Sequence, residues 1–230
     1  MNLPNALTVG RIAITPLIAV LPFAPATTPR LIAFILFLFA AVSDYADGVL
    51  ARSRKQETTL GKLLDPLADK LLLVGTFVPM WALMQSGNGV FSGSSFGTND
   101  LSLRSLPFLT PFGEVGLPWW IVVIVLGREL AMTIFRQAAA RRGLVIAAIG
   151  PAKIKTGFQL LWQGTAYLWF GVATAALRRG WNAGEWRGIA LFIGTFGAVT
   201  MSVAVMLTLF SLWIYVTRYG RVFAQSRARG

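Results

Sequence analysis

The sequence has 230 residues, of which 55% are hydrophobic and only 13% charged, where a soluble domain of this size carries about a quarter charged residues. Mean hydropathy is +0.64, and apolar runs long enough to cross a bilayer exclude a soluble globular domain. A net charge of +12 on such a chain reports cytoplasmic Lys and Arg meeting anionic headgroups, and no nucleic-acid partner is expected.

Cysteine and histidine are both absent, which excludes disulfides, thiolate sites and imidazole bases; a general base must be a carboxylate, Lys or Tyr. Arg11 interrupts the first apolar stretch and no small-residue cleavage site closes it, so no cleavable signal peptide is expected. In chain order, the apolar runs predict six membrane-crossing helices. They cover about Leu7 to Phe23 with Pro16 as an interruption, Leu31 to Arg52, Leu63 to Gln85, Pro118 to Arg141, Ile154 to Leu177 and Ile189 to Tyr215. The expected fold is all-α and polytopic, with residues 1–230 forming one transmembrane catalytic domain. Residues 86–117, rich in Gly and Ser, are expected to form a mobile exterior loop. Lys and Arg favour one side of the membrane two to one, which predicts cytoplasmic termini. Gly194, Thr195 and Gly197 suggest close helix packing, and Gln159 and Gln163 suggest interhelical hydrogen bonds.

Carboxylates within membrane spans are costly unless paired, hydrated or bound to a cation. Asp44 and Asp47 lie near the end of the second predicted helix, and Asp65 and Asp69 near the start of the third. Spacings of three and four residues put each pair on one helix face, and a short connection makes the two helices antiparallel neighbours. Four acids then converge at one depth, and one or two divalent cations are the simplest compensation. Oxygen-only ligands favour Mg²⁺ or Mn²⁺, with Ca²⁺ possible. Gly48, Ala51 and Gly61 leave room for a ligand beside the backbone. Arg52 offers a planar fork for phosphate oxygens. Together they suit a diphosphate ester.

The run Asp44-x2-Asp47-Gly48-x2-Ala51-Arg52-x8-Gly61-x3-Asp65-x3-Asp69 resembles the signature of the CDP-alcohol phosphotransferases at every fixed position. The opening Asn2-Leu3-Pro4-Asn5-x2-Thr8-x2-Arg11, with Gly127-Arg128-Glu129, Arg136 and Lys153-Ile154-Lys155-Thr156, looks like one branch, the bacterial phosphatidylglycerophosphate synthases. The long 86–117 connection departs from that branch. The resemblance implies a homodimeric phosphatidyl transferase of the cytoplasmic (inner) membrane. Its donor would be CDP-diacylglycerol and its site would face the cytoplasm. Asp44, Asp47 and Asp65 would ligate one metal, and Asp44, Asp65 and Asp69 a second. Asp69 would also be the base on the acceptor hydroxyl. Gly48, Ala51 and Gly61 would accommodate cytidine, and Arg52 with Asn5 would hold the diphosphate.

Arg128, Arg136, Lys153 and Lys155 form a cationic set suited to a phosphorylated acceptor such as glycerol 3-phosphate. Positive-inside anchoring, or an internal pair of Arg128 with Glu129, is the plainer alternative. Inositol phosphate, inositol, serine and phosphatidylglycerol stay open as acceptors. A divalent-cation transporter would need acids near the midplane of several helices, whereas these crowd at one end.

Overall fold

The computed structural model describes residues 3–54, 59–85, 105–140, 150–179 and 184–227. Among the described residues there are six long helices: α1 (Leu3–Val20), α2 (Thr27–Arg54), α3 (Thr59–Leu83), α4 (Trp119–Ala140), α5 (Gly150–Arg179) and α6 (Gly184–Arg227). A helix stands at each of the six expected positions, with ends displaced by a few residues, and α6 runs well beyond its expected limits; four of the six carry a stretch that meets the length and hydropathy of a span. Asn5–Phe23, Thr27–Asp44, Leu64–Leu83 and Arg187–Tyr215 are long and apolar enough to cross a membrane, and this is a membrane protein. Their outward faces are apolar, with Leu17, Ile35, Phe39 and Val78 exposed. The polar residues of α4 and α5 keep those two helices outside that apolar set among the described residues.

Residues group into two compact units. The first contains Met1–Pro118 with Gln163–Ala198. Within it α1 packs against α2 and α3, and Gly75 of α3 lets α1 and α3 approach closely, because an added Cβ would stand 2.8 Å from Thr15 Cγ2. α1 runs through Pro16 without a break and passes into a 3₁₀ turn only at Leu21–Phe23. Polar groups of α5 tie it to its neighbours. Gln163 Nε2 donates to Thr76 Oγ1 at 2.8 Å, the interhelical bond expected of it. The Tyr167 hydroxyl donates to the Ile18 carbonyl at 3.3 Å while its ring stacks on Phe37. Arg30 is buried, donating from Nε to the Pro22 carbonyl at 2.8 Å and from its guanidinium to Thr174 Oγ1. Arg178 holds the Pro25 carbonyl at 2.8 Å. These two arginines fix the turn between α1 and α2.

The expected loop is half corrected. Residues 86–104 lie outside the described residues, but the following stretch folds into an antiparallel hairpin of β1 (Phe108–Thr110) and β2 (Gly113–Val115). The turn lies at Pro111-Phe112, and Gly113 takes a φ of 122° that favours glycine. Gly194 and Gly197 of α6, expected to seat another helix, seat this hairpin instead. An added Cβ would stand 2.0 Å from the Leu109 carbonyl oxygen or 2.4 Å from the Phe108 ring. The physical reason is backbone access, since the Leu109 backbone and the Phe108 ring come this close to α6 only because no Cβ stands at these two positions.

The second unit contains Trp119–Trp162 with Val199–Gly230. Buried side chains on α4 (Ile121, Val125, Arg128, Met132 and Ala139) follow helical spacing. Trp119 and Trp120 at its start are exposed, as an interfacial pair would be.

Candidate active site

The site grows from one stripe of α1. Asn5, Thr8, Arg11 and Thr15 recur at three- and four-residue intervals, so they share a face. All four are buried, and Thr15 Oγ1 also donates to the Arg11 carbonyl at 2.7 Å. A polar stripe on an apolar span needs polar partners, and the carboxylates of α2 and α3 supply them. Thr8 Oγ1 donates to Asp65 Oδ1 at 2.9 Å. Arg11 Nη1 donates both to Asp44 Oδ1 of α2 and, at 3.2 Å, to Asp69 Oδ1 of α3. Arg11 is 1% exposed while the side chains of Asp44 and Asp69 are 51% and 60% exposed. The acids therefore stand at an open edge with a buried cation behind them.

Three of the four expected acids are thus gathered on the α1 stripe. The side chains of Asp47, Gly48, Ala51, Arg52, Gly61 and Lys153 lie outside the described residues, although α2, α3 and α5 run through those positions. Among the described residues no group of three acids is set to ligate a metal. The donor chemistry nonetheless fits a hard divalent cation: the three acids offer only carboxylate oxygens, they remain accessible, and the chain has no histidine or cysteine. Arg11 and Thr8 carry a role that spacing arguments on the acids alone did not assign. The available signal was the buried polar stripe within an otherwise apolar run.

In the second unit, Arg128 and Lys155 share one carboxylate. Arg128 Nη1 donates to Glu129 Oε1 at 2.8 Å, its Nη2 donates to Ser211 Oγ at 3.1 Å, and Lys155 Nζ also donates to Glu129 Oε1. Arg128 and Lys155 are buried whereas Arg136 is exposed. Arg128 and Lys155 are therefore an internally paired group rather than loose positive-inside anchors. The offset of about 80° between positions eight apart on a helix separates Arg136 from Arg128 in burial. Gln159, expected to bond between helices, has a buried Oε1 with no hydrogen-bond partner among the described residues.

Residues 1–216 match the CDP-alcohol phosphatidyltransferase family. The chain belongs to that family. CDP-alcohol phosphatidyltransferases are metal-dependent transferases, in keeping with the accessible acids of α2 and α3. Among relatives, the CDP-diacylglycerol–glycerol-3-phosphate 3-phosphatidyltransferase of Bacillus subtilis (strain 168) is 33% identical over 172 residues, which is 70% of this chain and 73% of that protein. A probable phosphatidylglycerophosphate synthase of Mycobacterium tuberculosis (strain ATCC 25618 / H37Rv) is 31% identical over 69% of this chain, and the match spans 62% of that relative. The CDP-diacylglycerol–glycerol-3-phosphate 3-phosphatidyltransferase of Pectobacterium atrosepticum is 28% identical over 76% of this chain and 85% of its own length.

Proposed function

We propose that the chain transfers the phosphatidyl group of CDP-diacylglycerol to sn-glycerol 3-phosphate, releasing CMP and forming phosphatidylglycerophosphate. The observation that carries this reading is the accessible carboxylate edge built by Asp44, Asp65 and Asp69 on the Thr8 and Arg11 stripe. The names of the relatives support the choice of substrates.

In this mechanism Asp69 accepts the proton of the acceptor hydroxyl. The hydroxyl oxygen forms its new bond to the lipid-side phosphorus as the bond from that phosphorus to CMP breaks. Asp44, Asp47, Asp65 and Asp69 would hold two Mg²⁺ or Mn²⁺ ions, which when bound would neutralise diphosphate charge and polarise the reacting phosphoryl group. Asn5 and Arg52 would bind the donor diphosphate, and Gly48, Ala51 and Gly61 would admit cytidine beside the backbone. Arg11 and Thr8 position the acids. Arg128, Arg136, Lys153 and Lys155 would receive the acceptor phosphate, with Glu129 orienting Arg128 and Lys155. A homodimer is the expected assembly.

The direct test is an acceptor panel with purified protein, CDP-diacylglycerol and Mg²⁺, read by CMP release. Glycerol 3-phosphate is expected to support turnover well above inositol phosphate, inositol, serine or phosphatidylglycerol. A better unphosphorylated acceptor would overturn the assignment of the acceptor while leaving the transferase chemistry in place. Lys155→Met is expected to raise KM for glycerol 3-phosphate about tenfold, through loss of one charge-assisted contact. Its KM for CDP-diacylglycerol should change much less, and equal changes in both would count against acceptor binding.

The excess of Lys and Arg on one side supports a cytoplasmic-membrane location with the site facing the cytoplasm. A reporter fused after Gly230 is expected in the cytoplasm, and one inserted near Gly93 outside; reversed labelling would overturn this topology.

A further inference from the structure

The hairpin is bonded to one end of a membrane span. The Leu106 amide donates to the Leu83 carbonyl at 2.5 Å, the Leu117 amide to the Met84 carbonyl at 2.7 Å, and the Ser105 hydroxyl to the Gln85 carbonyl. Gln85 Nε2 itself turns back to the Trp81 carbonyl at 2.7 Å. The residues flanking the hairpin thus cap the last carbonyl of α3, a group that a helix leaves unsatisfied, and the Met84 and Gln85 carbonyls that follow it. The span on α3 is the 20-residue stretch Leu64–Leu83. Its length of about 30 Å matches the hydrocarbon core, so its capped end stands at the membrane boundary, opposite the end that bears Asp65 and Asp69.

Two further contacts place the hairpin at that level. Leu109 lies against Gly194, seven residues inside the span that begins at Arg187. Trp169 Nε1 donates to the Leu106 and Pro107 carbonyls, both at 3.0 Å. Non-helical backbone is tolerated at such depth only where protein satisfies it, and these bonds do so. Leu106, Phe108 and Leu117 are fully or almost fully buried, whereas Phe112 at the turn is 99% exposed. Glu114 is the one charged residue between Ser105 and Leu117.

We propose that this hairpin is an interfacial anchor, with the Phe112 ring seated among lipid headgroups and upper acyl chains on the face of the membrane opposite the carboxylates. Lipid is the occupant that fits. The tip offers one uncharged ring beside a membrane boundary, far short of the roughly 800 Å² per partner of a stable protein interface, whereas headgroup level is where aromatic side chains gather in membrane proteins.

The chain has no cysteine, so Phe112→Cys gives a unique attachment point for a nitroxide label, and the exposed ring can be replaced without disturbing the core. Full-length protein in phosphatidylcholine–phosphatidylglycerol vesicles is examined by power-saturation electron paramagnetic resonance with oxygen and with a water-soluble nickel complex. Leu17→Cys, on the lipid-facing side of α1, provides the membrane reference, and free label in buffer the aqueous one. The label at position 112 is expected to collide more with oxygen than with nickel, as at position 17. Nickel dominance matching the free label would place the tip in water and overturn the proposal. Exclusion of both relaxants, with or without dipolar broadening from a second copy, would show the tip covered by protein and overturn it equally.

Discussion

Asp69→Asn is expected to lower kcat by about 100- to 10,000-fold, the range for loss of a general base, with the fold retained. Asn preserves the volume and an oxygen that can still accept from Arg11, and Arg11 keeps its bond to Asp44. Steady-state CMP release and size-exclusion profiles in detergent separate the two effects. The KM for glycerol 3-phosphate should move far less than kcat, because the acceptor phosphate is assigned to other residues. Asp44→Asn, Asp47→Asn and Asp65→Asn are also expected to be nearly inactive at limiting Mg²⁺, through weakened metal binding. A well-folded Asp69→Asn enzyme with kcat within threefold of wild type would remove Asp69 from the chemistry.

Arg11→Met should give the next largest loss. Arg11 is the buried cation that holds acids of two different helices on one nitrogen. Without it, Asp44 and Asp69 face each other with their repulsion less compensated and their positions less fixed. A charge-assisted bond is worth about 1.5–3 kcal/mol; lost from positioning, it slows the reaction roughly 10- to 100-fold. Arg11→Lys keeps the charge but has a shorter side chain and a differently placed nitrogen, which cannot meet both acids as Nη1 does, so it should recover only part of the rate. Because Met and Lys fill similar space, a difference between them in kcat reports charge rather than packing. If both variants keep wild-type kcat and differ only in melting temperature, Arg11 is a structural group alone.

The apolar runs make the helices legible in the sequence, because a span must be long and nearly uncharged to stay in lipid. The carboxylates were legible for the complementary reason. Asp44, Asp47, Asp65 and Asp69 are expensive in such runs, and the three-residue spacing of the first pair and four-residue spacing of the second mark a shared edge. The partners of that edge were harder to read. Arg11 looked like a lone cation in an apolar stretch until α1 was packed against α2 and α3, since the contact joins residues 33 and 58 positions apart. The hairpin is not legible in the sequence because its strands are three residues each, too short for an alternating pattern to show. What stabilises it lies far away in sequence, at Trp169, Gly194 and the end of α3. Gly194 and Gly197 signalled close approach correctly, but glycine spacing alone does not say whether a helix or a strand approaches.

The most direct measurement follows an oxygen atom. Purified protein is given CDP-diacylglycerol and glycerol 3-phosphate labelled with ¹⁸O at its free primary hydroxyl, and both products are analysed by mass spectrometry. Attack by the acceptor hydroxyl on the lipid-side phosphorus predicts one phosphatidylglycerophosphate per CMP, with the label kept in the lipid product and none in CMP. Labelled CMP, a nucleotide-linked glycerol product, or CMP release without phosphatidylglycerophosphate would contradict the proposed transfer.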